Sequence, residues 1–245
     1  MNETIKQLLA HTSVRQFEAT PLTKEQKSSL LAAAQAGSSS NFLQAYTILE
    51  ITDEAKRREL GKLANCEAYV ATTGAFYVFV ADLYRHANIL TQQNHSLDAL
   101  RSPESLLVAT VDTTIAAQNM AVAAEAMGLG ICYIGGIRND LFKVAEILAL
   151  PELTIPLFGL TIGIPTAKNE PKPRIPAQTI SAENTYTKER LTNLTEYDQI
   201  IANYYSHRQS NQQQATWTEK SLSYFAVERR PEVKIFLKKQ GFHLV

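Results

Sequence analysis

Cysteine is scarce: only Cys66 and Cys132 occur in 245 residues, and no C-x-x-C spacing joins them. That argues against a disulfide framework or a thiolate zinc site, and it fits a reducing, cytoplasmic setting. An excess of either charge is also lacking, because 24 basic residues balance 24 acidic ones. The broad positive field that general nucleic-acid binders use is therefore missing. The first residues, Met1-Asn2-Glu3-Thr4-Ile5-Lys6, have neither the basic start nor the apolar stretch of a secretory signal. The most apolar run, Leu106 to Met127, is broken by Asp112, Gln118, Asn119 and Glu125. Four such residues make a membrane span costly, and no membrane partner is expected.

Familiar catalytic templates are missing too. The five histidines show no H-E-x-x-H or related ligand spacing, so no metal site is expected. No G-x-x-x-x-G-K-[ST] loop and no G-x-S-x-G elbow occurs. Gly128-Leu129-Gly130 begins like a dinucleotide fingerprint, but Tyr133 occupies the place of the third glycine. The motif also lies between a helix and a strand, the reverse of the order such a site requires. With no side-chain machinery in view, the chemistry of an enzyme here would come from a cofactor.

What is present describes one large folded body. Hydrophobic residues make up 45% of the chain, enough for a sizeable core. Thr23-Lys24-Glu25-Gln26 has capping-box spacing ahead of Leu30, Leu31 and Ala34. Ser102-Pro103-Glu104 opens a long alanine-rich helix that reads as central and buried and stops at Gly128. Strands are expected at residues 47–52, 76–81 and 156–164, with a shorter one near 131–134. Helices and strands mix without strict βαβ alternation, so the fold class is α+β: a sandwich rather than a doubly wound sheet. Asn169 to Pro176 contains three prolines and reads as a stiff, extended segment. The core is accordingly placed at 1–176, and 177–245 is read as a C-terminal arm or cap within the same structural domain.

Four clusters could hold a ligand. His11-Thr12-Ser13-Val14-Arg15 combines an imidazole, a hydroxyl and a fixed cation after a short amphipathic helix. Gly37-Ser38-Ser39-Ser40-Asn41-Phe42 offers a row of short hydroxyls, and Tyr133-Ile134-Gly135-Gly136 a glycine pair after a strand. Lys172-Pro173-Arg174 sets two cations on a pre-ordered backbone. Singly, each is also what a plain turn or a solvated helix end contains. Together they describe one anionic, planar, hydroxyl-bearing ligand, and FMN has those properties.

These segments, with Asp112-Thr113-Thr114-Ile115-Ala116-Ala117-Gln118-Asn119, Pro156-Leu157-Phe158-Gly159-Leu160, Lys172-Pro173-Arg174-Ile175-Pro176, Tyr204-Tyr205 and Thr216-Trp217, run in order over nearly the whole chain. The sequence resembles the oxygen-insensitive nitroreductase and NAD(P)H–flavin oxidoreductase family, in its flavin reductase P branch. The resemblance implies a central, mostly antiparallel sheet flanked by helices in an intertwined homodimer, with two FMN sites at the interface and C-terminal segments embracing the partner. It places His11, Ser13, Lys172 and Arg174 around the FMN phosphate and Arg15 near the N1/O2 edge of the ring. Ser39 and Glu67 would contact ribityl or ring atoms, and Tyr133, Ile134, Gly135 and Gly136 would line the ring. Contacts to NAD(P)H or substrate would come from Asn41, Phe42, Arg208 and Arg230. The implied activity is ping-pong reduction of nitroaromatics, quinones or flavins, with no catalytic side chain. The alternative is a non-catalytic FMN carrier or sensor. The chain departs from the branch at Thr12, often Arg; at Asn41, often Ser; and at Glu67, a Gln that touches the flavin. Gln213 replaces one of two arginines associated with the NADPH 2′-phosphate, and Arg208 remains.

Overall fold

The computed structural model describes residues 1–207 and 215–243. The chain divides into two units, Met1–Asn169 with Arg230–Val245, and Glu170–Arg229.

The first unit begins with α1 (Glu3–Leu9) and α2 (Lys24–Gln35), the latter opened by the expected Thr23/Gln26 capping box. Such a cap contributes about 1 kcal/mol by occupying free backbone donors. The succession continues through β1 (Tyr46–Glu50), α3 (Glu54–Leu63), α4 (Glu67–Thr72), β2 (Ala75–Asp82) and α5 (Tyr84–Gln92). Next come α6 (Pro103–Ala126), β3 (Gly130–Ile134), α7 (Leu141–Ile147) and β4 (Thr154–Gly163). The four strands form one sheet in the order β1-β2-β4-β3, and every neighbouring pair is antiparallel. β2 is a continuous apolar run because both faces are covered. Phe79, Leu160 and Ile162 pack with Met120 of α6 on one side, and Phe76 and Val78 with Leu60 and Val70 on the other. A fully buried side chain of this size contributes about 1.5–3 kcal/mol.

α6 begins as expected, with the Ser102 hydroxyl accepting the Ser105 N–H and proline in the first turn. Among the described helices it is the one long and apolar enough to cross a membrane by length and composition. In this fold it packs against the sheet and α2. It is not buried on every side, however, since Leu107 and Val111 are 60% and 52% exposed. Gly128 follows with φ +77°, a left-handed conformation that glycine adopts without penalty and that turns the chain into β3.

Residues 230–245 belong with this first unit, a division that differs from the 1–176 and 177–245 partition. The reason is packing. Phe236 and Leu237 of α12 (Glu232–Lys239), with Phe242 beyond it, join Leu141, Leu153 and Ile155 in an apolar cluster.

The second unit holds the proline-rich segment, which is extended as expected, and then α8 (Ala177–Ile180), α9 (Lys188–Leu191), α10 (Thr195–Ser206) and α11 (Trp217–Phe225). Its small core joins Tyr197, Ile201 and Tyr205 with Ile175 and Trp217. The Tyr197 hydroxyl donates to the Pro173 carbonyl at 3.1 Å, tying the extended segment to α10.

Candidate functional site

The segment after α1 lies beside β3. The Val14 N–H donates to the Ile131 carbonyl at 2.8 Å, and Ser13 forms a parallel bridge with Ile131. With Val14 buried, its neighbours Ser13 and Arg15 alternate away from it, as extended backbone requires. Arg15 is exposed and has no ion-pair partner among the described residues. Its charge acts on Tyr69 of α4 and Cys132 of β3. His11 is paired: its Nδ1 lies 2.7 Å from Oε1 of Glu125, near the end of α6.

Farther along β3, Tyr133 is the side chain of the strand that opens to solvent, at 36% exposure. Its ring meets Phe158 edge-on at 5.3 Å, and its hydroxyl donates to Gln118 Oε1 at 3.4 Å. Burial, then the charge of Glu125, raises the Tyr133 phenol above the usual tyrosine range, so it stays a protonated donor. Ile134 is buried, and the chain then turns through Gly135 and Gly136. A Cβ on Gly136 would stand 2.3 Å from the Ala64 carbonyl oxygen, so the glycine permits a direct backbone approach. Glu67 opens α4 with a half-exposed carboxylate 3.8 Å from Lys62.

Neither cysteine is suited to nucleophilic work. Burial pushes the Cys66 thiol up to about 11, and burial also raises Cys132 despite the nearby Arg15 charge. Among the described residues no cluster of His, Cys, Asp and Glu could hold a metal ion.

The structure thus ties His11 to the end of α6 and sets Ser13 and Arg15 beside β3, with Arg15 acting on Cys132 and Tyr133 pointing to the other face of the strand against Phe158. It sets the serine-rich stretch apart, as a loop on α6. Ser40–Phe42 is a single 3-10 turn, and Asn41, Phe42 and Gln44 all have positive φ, at 48°, 60° and 52°. The Ser39 hydroxyl accepts the Gln44 N–H at 3.2 Å, and Phe42 is 81% exposed. Arg230 is engaged with a neighbour: its Nε and Nη2 donate to Asn139 Oδ1 at 3.0 and 2.8 Å. In the second unit Lys172 lies 5.7 Å from the Tyr205 ring centroid. Burial opposes ionisation of that phenol, but Lys220 and Lys172 bring it below the usual tyrosine range. Arg208 and Gln213 lie outside the described residues.

Sequence reasoning missed Tyr69 and Cys132 as neighbours of Arg15, Glu125 as the partner of His11, and Asp112 beneath the serine-rich loop. A signal existed for the last two, which interrupt an apolar helix where polar side chains need a reason to be buried.

As a donor set, the gathered groups suit a flavin mononucleotide. The Ser13 hydroxyl has no partner among the described residues, Arg15 is an unmatched cation, and Tyr133 presents an open aromatic surface. An oxyanion, an electron-rich ring edge and a flat heterocycle would satisfy them in turn.

Comparison with known proteins shows the family. Residues 8–164 match the Nitroreductase family, and residues 172–245 match the Nitroreductase family, C-terminal domain. The chain is 42% identical over 247 residues to the FMN reductase (NADPH) of Bacillus subtilis (strain 168), covering 99% of each. It is also 42% identical over 241 residues to the NADPH-flavin oxidoreductase of Vibrio harveyi, covering 98% of each. The solved structure of B. megaterium NfrA1 superposes with a TM-score of 0.94 at 42% identity, covering 98% of this chain and 99% of that one. On these matches, which span nearly the whole chain, the chain belongs to the nitroreductase family.

Proposed function

We propose that the protein is an FMN-dependent NAD(P)H oxidoreductase that reduces nitroaromatics, quinones or flavins. The observation that carries this reading is the pairing of Ser13 with β3, which sets an unpartnered hydroxyl and the unmatched Arg15 cation beside a strand that also exposes Tyr133. FMN, when bound, would supply the redox chemistry between reduced nicotinamide and acceptor. The chain's own residues bind and tune. Ser13 and His11 are phosphate-binding groups of the first unit, and Lys172 and Arg174 are the cations of the second to which the family resemblance gives that role. Tyr133 to Gly136 support the ring with side chain and backbone, and Ser39 and Glu67 add polar contacts. Asn41, Phe42, Arg208 and Arg230 serve the nicotinamide or acceptor, with Arg230 exchanging or sharing its Asn139 contact. No side chain acts as acid, base or nucleophile, and the protein's contribution is positioning and electrostatics.

The active form is a cytoplasmic homodimer on this reading. Support comes from exposed apolar side chains on three helices: Ile5, Leu8 and Leu9 of α1, Leu31 of α2, and Leu107 and Val111 of α6. Sedimentation as twice the 27.2 kDa chain is the check.

Steady-state kinetics test the activity. Varying donor and acceptor should give parallel double-reciprocal lines, and intersecting lines would rule out ping-pong exchange. With Gln213 offering only neutral hydrogen bonds, about 1–2 kcal/mol of phosphate recognition is lost. The NADPH advantage over NADH should therefore be about tenfold or less.

Arg15→Gln should lower the two-electron midpoint potential, because a cation beside the ring favours the charge that reduction places there. Arg15 is exposed, so solvent screens its effect, and the shift should be about 30 mV, equal to about 1.4 kcal/mol. A potentiometric titration giving an equal or higher potential would place Arg15 elsewhere.

A further inference from the structure

Asp112 is a buried carboxylate that the proposed chemistry does not use. It is 0% exposed in the middle of α6, and it has no cationic partner among the described residues. A lone buried charge of this kind is costly unless its oxygens are satisfied. Both are. Oδ1 accepts the Ser40 N–H at 2.8 Å, and Oδ2 accepts the Ala45 N–H at 3.1 Å. Those two amides stand at the two ends of the loop that carries Asn41 and Phe42.

The loop between them is strained. Asn41, Phe42 and Gln44 are in the left-handed region, which side chains other than glycine seldom adopt. Such a conformation persists only where the surroundings overdetermine it. Inside the loop the restraints are slight: the Ser39 hydroxyl on the Gln44 N–H, the Phe42 carbonyl on the Gln44 amide at 3.4 Å, and one turn of backbone bonding. From outside the loop, Arg85 Nη1 donates to the Gln44 carbonyl at 3.3 Å and His86 Nε2 lies 3.0 Å from the Leu43 carbonyl, while the charge-assisted pair to Asp112 holds both ends at once. It closes the loop like a clasp and leaves Phe42 81% exposed at its crest.

We propose that Asp112 is a positioning residue: through the Ser40 and Ala45 amides it fixes the conformation in which Asn41 and Phe42 meet nicotinamide or acceptor, without itself touching either. This rests on the reading of Asn41 and Phe42 as substrate-side residues. The effect belongs to substrate recognition, so it should appear in KM and not in flavin retention.

The test is Asp112→Asn, which keeps the shape but replaces one acceptor oxygen with an NH2 that meets a backbone N–H donor to donor. In holoprotein with unchanged flavin content, KM for a flat quinone should rise about tenfold, with kcat within about twofold. Phe42→Ala should raise the same KM, and the double variant should be no worse than the larger single one, because both act through one aromatic surface. A normal KM in Asp112→Asn, or effects that multiply in the double variant, would overturn the proposal. If Asp112→Asn fails to fold, hydrogen exchange in the wild-type holoprotein decides. The Ser40 and Ala45 amides should exchange as slowly as those in the middle of α6, and exchange at loop rates would show that no clasp exists. A wild-type protein that retains no flavin, or shows no quinone turnover, would instead defeat the functional reading beneath it.

Discussion

Replacing Lys172 and Arg174 together with alanine is expected to weaken FMN binding by about a hundredfold, and Arg174→Ala alone by about tenfold. A hydrogen bond to a charged group contributes about 1.5–3 kcal/mol, and each 1.4 kcal/mol is a factor of ten in affinity. The double variant is set at about the product of two tenfold losses, the low end of that range, because two neighbouring cations share one phosphate. The backbone that carries them is already ordered: three prolines stiffen it, and the Tyr197 hydroxyl holds the Pro173 carbonyl at 3.1 Å. Little conformational entropy is then lost when an anion is gripped. Those restraints do not depend on either side chain, so the helix content of the double variant should match wild type. Titration of apo-protein with FMN, alongside far-ultraviolet circular dichroism, measures both. An unchanged dissociation constant in the double variant would remove this segment from the phosphate site.

Gly136→Ala is expected to cost about 1–3 kcal/mol of stability and to release flavin, while Gly135→Ala is tolerated. The two glycines are adjacent but differ in what a methyl group would meet. At Gly136 it would stand 2.3 Å from the Ala64 carbonyl oxygen and 2.9 Å from Ala64 C and Cα, all backbone atoms at the end of α3. Backbone cannot swing aside, so the Tyr133–Gly136 turn must move away from α3, with the strain of an overpacked core. At Gly135 the nearest atom is the Arg138 Nη2, at an ordinary contact distance of 3.5 Å. Neither glycine has positive φ, so the contrast is purely steric. For a chain of this length the Gly136 change should lower Tm by about 3–10 °C. Thermal melts of the two holoproteins check the pair, and equal melting temperatures would show that the close approach is absent.

The legible parts of this protein were those with local physical signatures. The Thr23 capping box, the Ser102-Pro103 start and the Gly128 stop of α6 satisfy or release backbone groups within a few residues, and each appears as read. The strands showed through their apolar runs, to within two residues at each end. What could not be read depends on contacts distant in sequence. Read from the residues themselves, Asp112, Gln118, Asn119 and Glu125 are interruptions that make a membrane span costly. Each instead meets a remote partner: the loop ends at Ser40 and Ala45, the Tyr133 hydroxyl, the Ala33 carbonyl and His11. At about 1.5 Å of rise per residue, these four string their contacts over about 20 Å of one helix. α6 is therefore the spine against which the scattered motifs are aligned, a role that pattern alone does not express. The place of residues 230–245 was not legible for a similar reason, because Phe236 and Phe242 return to a core built from residues as early as Ala45 and Ala81.

The central claim is that this chain binds FMN and reduces it with a nicotinamide. Anaerobic titration of the purified holoprotein with NADPH, followed by absorbance in the flavin band, tests it most directly. The expected result is a yellow protein with about one flavin per chain, bleached within the mixing time by one equivalent of NADPH and restored by a stoichiometric amount of quinone. A colourless protein that fails to take up FMN, or a yellow one whose absorbance NADPH leaves unchanged, would contradict it.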